Sequence, residues 1–450
     1  MKVIDKLKRL TGEDTEVKKT EPSASVSAPD EKQQRLAGLR LKIEAITSRA
    51  KPQAGAALRE NIHPGNHRLA DLVGGVEVEN EHGRFFLATR IMSGASRHGH
   101  RNVYEVHNFD TIVAGMLAND PSIGRYRSTD ALFLDTETTG LSGGSGTMPF
   151  LVGLGWFENQ AFHLHQLLAR DFSEEKALLA HLKQIAAQKK FLVTFNGKAF
   201  DVNLLATRFI LNRLADGLSC LPHLDLLHPS RRILGHRLDN CRLATLEEQI
   251  LGVFREDDVP GWEIPQRYFD WLRQRNADLL AGIFEHNRLD VASMATLTAH
   301  LAEIVAACTT GQDKHTDDYV AAARLCLDRS QKEAALKIVD ALPNDLRPEA
   351  SPHSPGKLAE LYKRTGRIDQ AADIWRRMLG QDPAGFYQVT ELAKYLEHHK
   401  RDFAGARSIV EKALASGGVF SEKEKQSLKL RLGRLDKKTL VPDREYRDEP

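Results

Sequence analysis

An apolar run leads into two carboxylates in Leu132-Phe133-Leu134-Asp135-Thr136-Glu137-Thr138-Thr139-Gly140. Read as a strand, its period of two puts Asp135 and Glu137 on one face. Neighbouring carboxylates repel each other, and a divalent cation held by hard oxygen ligands removes that repulsion. The competing reading is a strand end whose acids face water. The apolar lead-in and the Thr-Thr-Gly that follows favour the metal.

Two further acids sit where the pattern changes. Phe195-Asn196-Gly197-Lys198-Ala199-Phe200-Asp201 ends a buried strand and opens a helix. Taken alone, Asp201 reads as a helix cap. Glu285-His286-Asn287-Arg288-Leu289-Asp290 lies in a long helix whose apolar stripe runs through Leu279, Ile283, Met294, Leu297 and Leu301. Asp290 falls on that stripe, where an ionised carboxylate is costly unless paired or metal-bound. His286 stands one turn earlier on nearly the same face. A His–Asp pair buried for packing is the plainer alternative.

The order Asp135-x-Glu137, Asn196-x3-Phe200-Asp201, His286-x3-Asp290 resembles the three-motif signature of DEDD exonucleases, the DnaQ-like group on a ribonuclease H-like fold. More closely the chain resembles the YprB-type ribonuclease H-like family. That likeness runs through His223-Leu224-Asp225-Leu226-Leu227-His228-Pro229-x-Arg231-Arg232, Leu246-Glu247-x3-Leu251-Gly252 and Asp257-Asp258-Val259-Pro260-Gly261-Trp262, and covers about residues 66–305. One departure stands out. DEDD enzymes carry Tyr four residues before the last Asp or His five before it; here His286 takes the tyrosine spacing.

The resemblance implies a metal-dependent 3′–5′ exonuclease that hydrolyses single-stranded DNA or RNA ends with two Mg²⁺ or Mn²⁺ ions. It implies that Asp135, Glu137 and Asp290 hold the ion that activates water. Asp135 also touches the second ion, and Asp201 acts mostly through bound water. His286 would orient the nucleophile or accept its proton, a role suited to histidine's ordinary titration range. Thr138 and Leu141 match positions that meet the 3′-terminal nucleotide. Asn196, Lys198, Arg231 and Arg232 are candidates for phosphate contact. Asp225 is either an acid that supports the ligands from behind or a plain strand-end carboxylate. The alternative function is a catalytically silent adaptor that binds nucleic acid or protein through its helical repeats.

The elements that must position these residues are readable in outline. Residues 1–60 are poor in large apolar side chains and are expected to be mostly disordered, with a short helix possible at 32–49. Residues 61–130 show hairpin grammar around Glu81-His82-Gly83, and His98, His100 and His107 read as loop histidines rather than metal ligands. Strands are expected at Ala131–Asp135, Pro149–Phe157, Ala161–Leu168, Phe191–Phe195 and Leu224–Leu227. Helices are expected from Ser173, as cap, to Ala187, over 200–214, from a capping box at Thr245-Leu246-Glu247-Glu248, and from Ala277 to Ala306. The expected fold class is α/β: a ribonuclease H-like mixed sheet over 131–310, flanked by helices. Over 315–435 Leu358-Ala359-x-Leu361 recurs as Leu392-Ala393-x-Tyr395, a period resembling tetratricopeptide repeats, with a protein partner as one possible use. A disordered tail is expected over 436–450.

Composition adds bounds. The 450 residues are 41% hydrophobic and 28% charged, with net charge +2. A polyanion must therefore be bound by a local patch. The four widely spaced cysteines form no Cys-x-x-Cys and predict neither a zinc site nor a disulfide framework. No signal-peptide core or membrane-spanning run is apparent, so a cytoplasmic location without membrane contact is the expectation.

Overall fold

The computed structural model describes residues 68–140, 146–313, 315–342, 355–416 and 420–439. The possible helix at 32–49, the disordered extension, most of the tail and Leu141 lie outside these residues. A short helix α1 (Leu69–Val73) precedes the hairpin β1 (Gly75–Asn80) and β2 (Gly83–Met92). The small ribbon β3 (Arg97–His98) and β4 (Arg101–Asn102) follows, then helices α2 (Val103–Val106) and α3 (Thr111–Ala118). Strands β5 (Ala131–Thr138), β6 (Pro149–Glu158) and β7 (Ala161–Leu168) come next. The alternation continues with α4 (Glu175–Ala186), β8 (Phe191–Thr194), α5 (Asp201–Leu211), β9 (His223–Asp225), α6 (Leu227–Ile233) and α7 (Leu243–Leu246). α7 runs into a π-turn over Glu247–Leu251. Helix α8 (Ile264–Gln274) leads to the long α9 (Asp278–Thr310).

Seven strands form one mixed sheet in the order β1-β2-β7-β6-β5-β8-β9, with β5, β8 and β9 parallel and the rest antiparallel. The pleat of β5 divides its side chains between two cores. Leu132 and Leu134 pack with Leu178, Leu179 and Leu182 of α4 and Leu205 and Phe209 of α5. Phe133 faces the other way, toward Val291 and Met294 of α9. A fully buried side chain such as Phe133 contributes about 2–3 kcal/mol by leaving water. Register then decides the chemistry: Asp135 and Glu137 share the α9 face, and Thr136 shares the α5 face.

The turn at Glu158-Asn159-Gln160 is tight, with φ of 49° at Asn159 and 62° at Gln160. Three local expectations change. Asp171, not Ser173, caps the segment leading into α4: its carboxylate accepts from both Ser173 N and Ser173 Oγ. The third apolar segment is strand only to Asp225; Leu226 already has helical backbone and precedes α6. Thr245 and Glu248 form no capping box: Thr245 Oγ1 donates to Asn240 Oδ1, and the adjacent Glu247 is drawn into a buried ion pair.

α9 is long and apolar enough to cross a bilayer by length and composition, which the sequence reading did not anticipate, yet 78% of that window is buried inside the protein. It is the core helix. Seven more helices follow: α10 (Thr316–Asp328), α11 (Lys332–Ala341), α12 (Pro355–Arg364), α13 (Ile368–Gln381), α14 (Phe386–Tyr395), α15 (Phe403–Ala415) and α16 (Glu422–Thr439). They pack as successive pairs. The hydrophobic core runs unbroken from Phe133 and Met294 through Tyr319 and Cys326 to Trp375. All described residues belong to one compact unit.

Candidate active site

The four acids come from three elements. β5 supplies Asp135 and Glu137, the N-terminus of α5 supplies Asp201, and the middle of α9 supplies Asp290. Each of three is held by a neutral or cationic donor. Asn287 Nδ2 donates to Asp135 Oδ2 at 2.9 Å, while Gln166 Nε2 donates to Asn287 Oδ1 at 3.0 Å. Asn287 can lie so close because its neighbour on β6 is Gly153, paired with Asp135 in register. A Cβ there would stand 2.2 Å from Asn287 Oδ1. Thr136 Oγ1 donates to Asp201 Oδ1. Arg255 donates to Asp290 Oδ1. Glu137 makes no hydrogen bond or ion pair among the described residues, although it is 9% exposed.

These acids perturb one another. Burial pushes Asp135 well above the usual carboxylate range, and the charges of Asp290 and Asp201 push it further. Glu137 is raised well above its range by burial, then by Asp135, Asp290 and Asp201. Burial raises Asp201 to about 6. Asp290 is also raised by burial, against the opposing pull of Arg255. A set of oxygen ligands short of positive charge suits hard cations such as Mg²⁺. No three His, Cys, Asp or Glu side chains form a ready-made ion cage among the described residues. The acids share a field, not a closed coordination shell.

Arg255 is the main charge compensating them. Its Nε and Nη2 bind the two oxygens of Glu247, each at 2.6 Å, and Nη1 reaches Asp258 Oδ2 at 3.2 Å. Ser293 Oγ donates to Glu247, and His98 Nε2 lies 2.7 Å from Ser293 Oγ. Burial depresses His98 to about 4, so the ring is neutral at pH 7. His286 Nδ1 has two partners: Asp258 Oδ1 at 2.8 Å, the geometry of an N–H donating to a carboxylate, and Arg255 Nη1, farther off at 3.2 Å. That leaves Nε2, 3.7 Å from Asp290 Oδ2, on the acid side.

The remaining expected residues divide. Asp225 accepts from the backbone N–H groups of Asn196 at 2.7 Å, Lys198 at 3.1 Å and Leu227 at 3.1 Å. It fixes the loop that delivers Asp201, with Asn196 in the left-handed region at φ 65°. Asn196 and Lys198 thus lie on the loop that leads into Asp201. Thr138 Oγ1 donates to Gly140 O at 2.8 Å, just past a bulge at Glu137/Thr138. Arg231 and Arg232 are not brought to the acids; they line a groove of about 430 Å³ with α10 and Lys357 of α12. His98, His100 and His107 diverge: His98 meets Ser293, His100 lies under Gly252, and His107 Nδ1 meets Tyr104 O.

Sequence reasoning passed over Asn287, Glu247, Arg255 and Asp258 as site residues. Asn287 and Asp258 lie inside motifs already singled out, which was the available signal. Arg255 had none, because the two carboxylates it holds most closely are 8 and 35 residues away.

Residues 132–302 match the model of the RNase H superfamily. The chain is 33% identical over 328 residues to the uncharacterized protein YprB of Bacillus subtilis (strain 168), an alignment that covers 72% of this chain and 78% of that protein. Identity of that extent, joined to a mixed seven-stranded sheet with helices on both faces, makes this chain a member of the YprB-like family within the RNase H superfamily.

Proposed function

We propose that this protein is a divalent-metal-dependent 3′–5′ exonuclease acting on single-stranded nucleic-acid ends. Membership of the RNase H superfamily implies a nuclease-type hydrolase of phosphodiester bonds, generally with divalent metals. The observation that carries the finer reading is the convergence of Asp135, Glu137, Asp201 and Asp290 from three elements, with the charges of Asp201 and Asp290 raising the proton affinity of Asp135 and Glu137.

In this reading Asp135, Glu137, Asp201 and Asp290 hold two Mg²⁺ or Mn²⁺ ions. Such ions, when bound, polarise a phosphate and make water a stronger nucleophile at neutral pH. Asn287 and Thr136 fix which oxygens of Asp135 and Asp201 face the site. Asp258 keeps the proton on His286 Nδ1, so Nε2 is free to orient the attacking water or take its proton. Hydrolysis adds water across the P–O3′ bond, leaving a phosphate on the released nucleotide and a hydroxyl on the new end.

Two observations favour a catalytically silent binding protein: Arg255 already occupies an oxygen of Asp290, and no ready-made ion cage exists among the described residues. Calorimetric titration with Mn²⁺ separates the readings. Two-site binding that is lost in Asp135→Asn supports the nuclease; no binding to the unaltered protein supports the silent one.

A further inference from the structure

Arg231 and Arg232 on α6, Arg324 on α10 and Lys357 on α12 open onto one groove of about 430 Å³. An adjoining hollow of about 700 Å³ shares Arg324 and Lys357 and continues to Met378 and Tyr387. The first groove is lined by two acids, Asp317 and Asp328. Asp328 is shared between Arg232 at 3.3 Å and Arg364 at 3.1 Å. Arg329 adds another guanidinium beside Arg232, and its buried Nε has no hydrogen-bond partner among the described residues. The neighbouring Asp318 is buried and committed to Arg237 and His236. Arg231, Arg324 and Lys357 have no carboxylate partner among the described residues.

Asp328 offsets part of this charge, but Arg231, Arg324 and Lys357, from three separate helices, face the groove without a carboxylate partner among the described residues, and a polyanion relieves their repulsion. The position of the groove favours one polyanion. α6 begins two residues after Asp225, whose carboxylate fixes the loop carrying Asp201. At about 1.5 Å of rise per residue, Arg231 stands only about 6 Å along the helix from Leu227. The groove therefore opens on the helix that follows Asp225 and runs on to α10 and α12. Tyr387, lining the far hollow, offers a ring on which a base can stack.

We infer that this groove binds the phosphate backbone of a single-stranded nucleic acid, gripping the strand behind the end held at the acids. The inference rests on the nuclease reading for its substrate, and it makes the first helices of the C-terminal region a strand-binding surface.

The test is anisotropy of a labelled single strand of about twenty nucleotides, DNA or RNA, with the full chain in EDTA across a salt series. Arg324→Glu with Lys357→Glu should weaken binding at least about tenfold and flatten the log–log salt slope by about 1.4, the counterions of two phosphate contacts. Arg324→Gln with Lys357→Gln should show a smaller loss in the same direction, and it decides the matter if the charge-reversed chain fails to fold. Unchanged affinity and slope in the glutamine pair overturns the inference. So does an unaltered protein that binds an acidic peptide through these residues and no oligonucleotide. If oligonucleotide binding depends on the groove but no phosphodiester is cut with any divalent ion, the nuclease reading fails and the groove stands. Hydrolysis with groove-independent binding gives the reverse.

Discussion

Asp201→Asn should stabilise the metal-free protein at neutral pH while damaging the site. Burial raises the Asp201 carboxyl from 3.8 to about 6. The shift is about two pH units, and at 1.36 kcal/mol per unit it corresponds to roughly 3 kcal/mol. The sign follows from linkage. Between pH 4 and 6 the unfolded chain has lost this proton and the folded chain keeps it. Stability therefore falls as pH rises through that window, and the full cost remains at pH 7.5. Asparagine carries no charge and can still accept the hydrogen bond from Thr136 Oγ1. Urea unfolding in EDTA should show the variant more stable than the parent by about 3 kcal/mol at pH 7.5, with little difference near pH 4. The same substitution should weaken Mn²⁺ binding. A variant that is less stable at pH 7.5, or whose gain is the same at both pH values, would refute the idea that Asp201 is a strained buried charge.

Three other outcomes follow from the same contacts. Arg255→Met orphans the almost fully buried Glu247, so unfolding in EDTA should show a loss of about 3–5 kcal/mol, much of it recovered in Arg255→Met with Glu247→Leu; a loss below about 1 kcal/mol would mean that Arg255 is not what neutralises the cluster. Asn287→Ala removes the donor to Asp135 and leaves the Gln166 amide short of a partner; it should cost about 1–3 kcal/mol by urea unfolding, and wild-type stability would mean that the Gln166–Asn287–Asp135 chain is incidental. His286→Ala should lower the hydrolysis rate roughly a hundredfold with Mn²⁺ affinity nearly unchanged in calorimetry, and full activity would remove His286 from the reaction.

Much of the fold was legible because its signals are local. The alternation of Leu132, Phe133 and Leu134 dictates a strand buried on both faces, and the same pleat carries Asp135 and Glu137 to one side of the sheet. Asp290 was legible because a carboxylate on an apolar stripe needs a reason. Glu247 was passed over because the capping-box spacing of Thr245 and Glu248 is local, while the pull of Arg255 on Glu247 is not. The π-turn that aims Glu247 inward has no signature in residue types. Arg231 and Arg232 lie beside the site in sequence, but α6 turns them toward α10 and α12. Helix direction, set by packing, decided where their charges went.

The central claim is that Asp135 and its neighbours hydrolyse nucleic-acid ends with bound divalent ions. The most direct measurement follows 5′-labelled single-stranded DNA and RNA with time, in Mn²⁺ or EDTA, using the parent and Asp135→Asn. The expected result is stepwise shortening from the 3′ end that requires the metal and vanishes in Asp135→Asn. No shortening of either strand, or shortening that survives in Asp135→Asn, would contradict it.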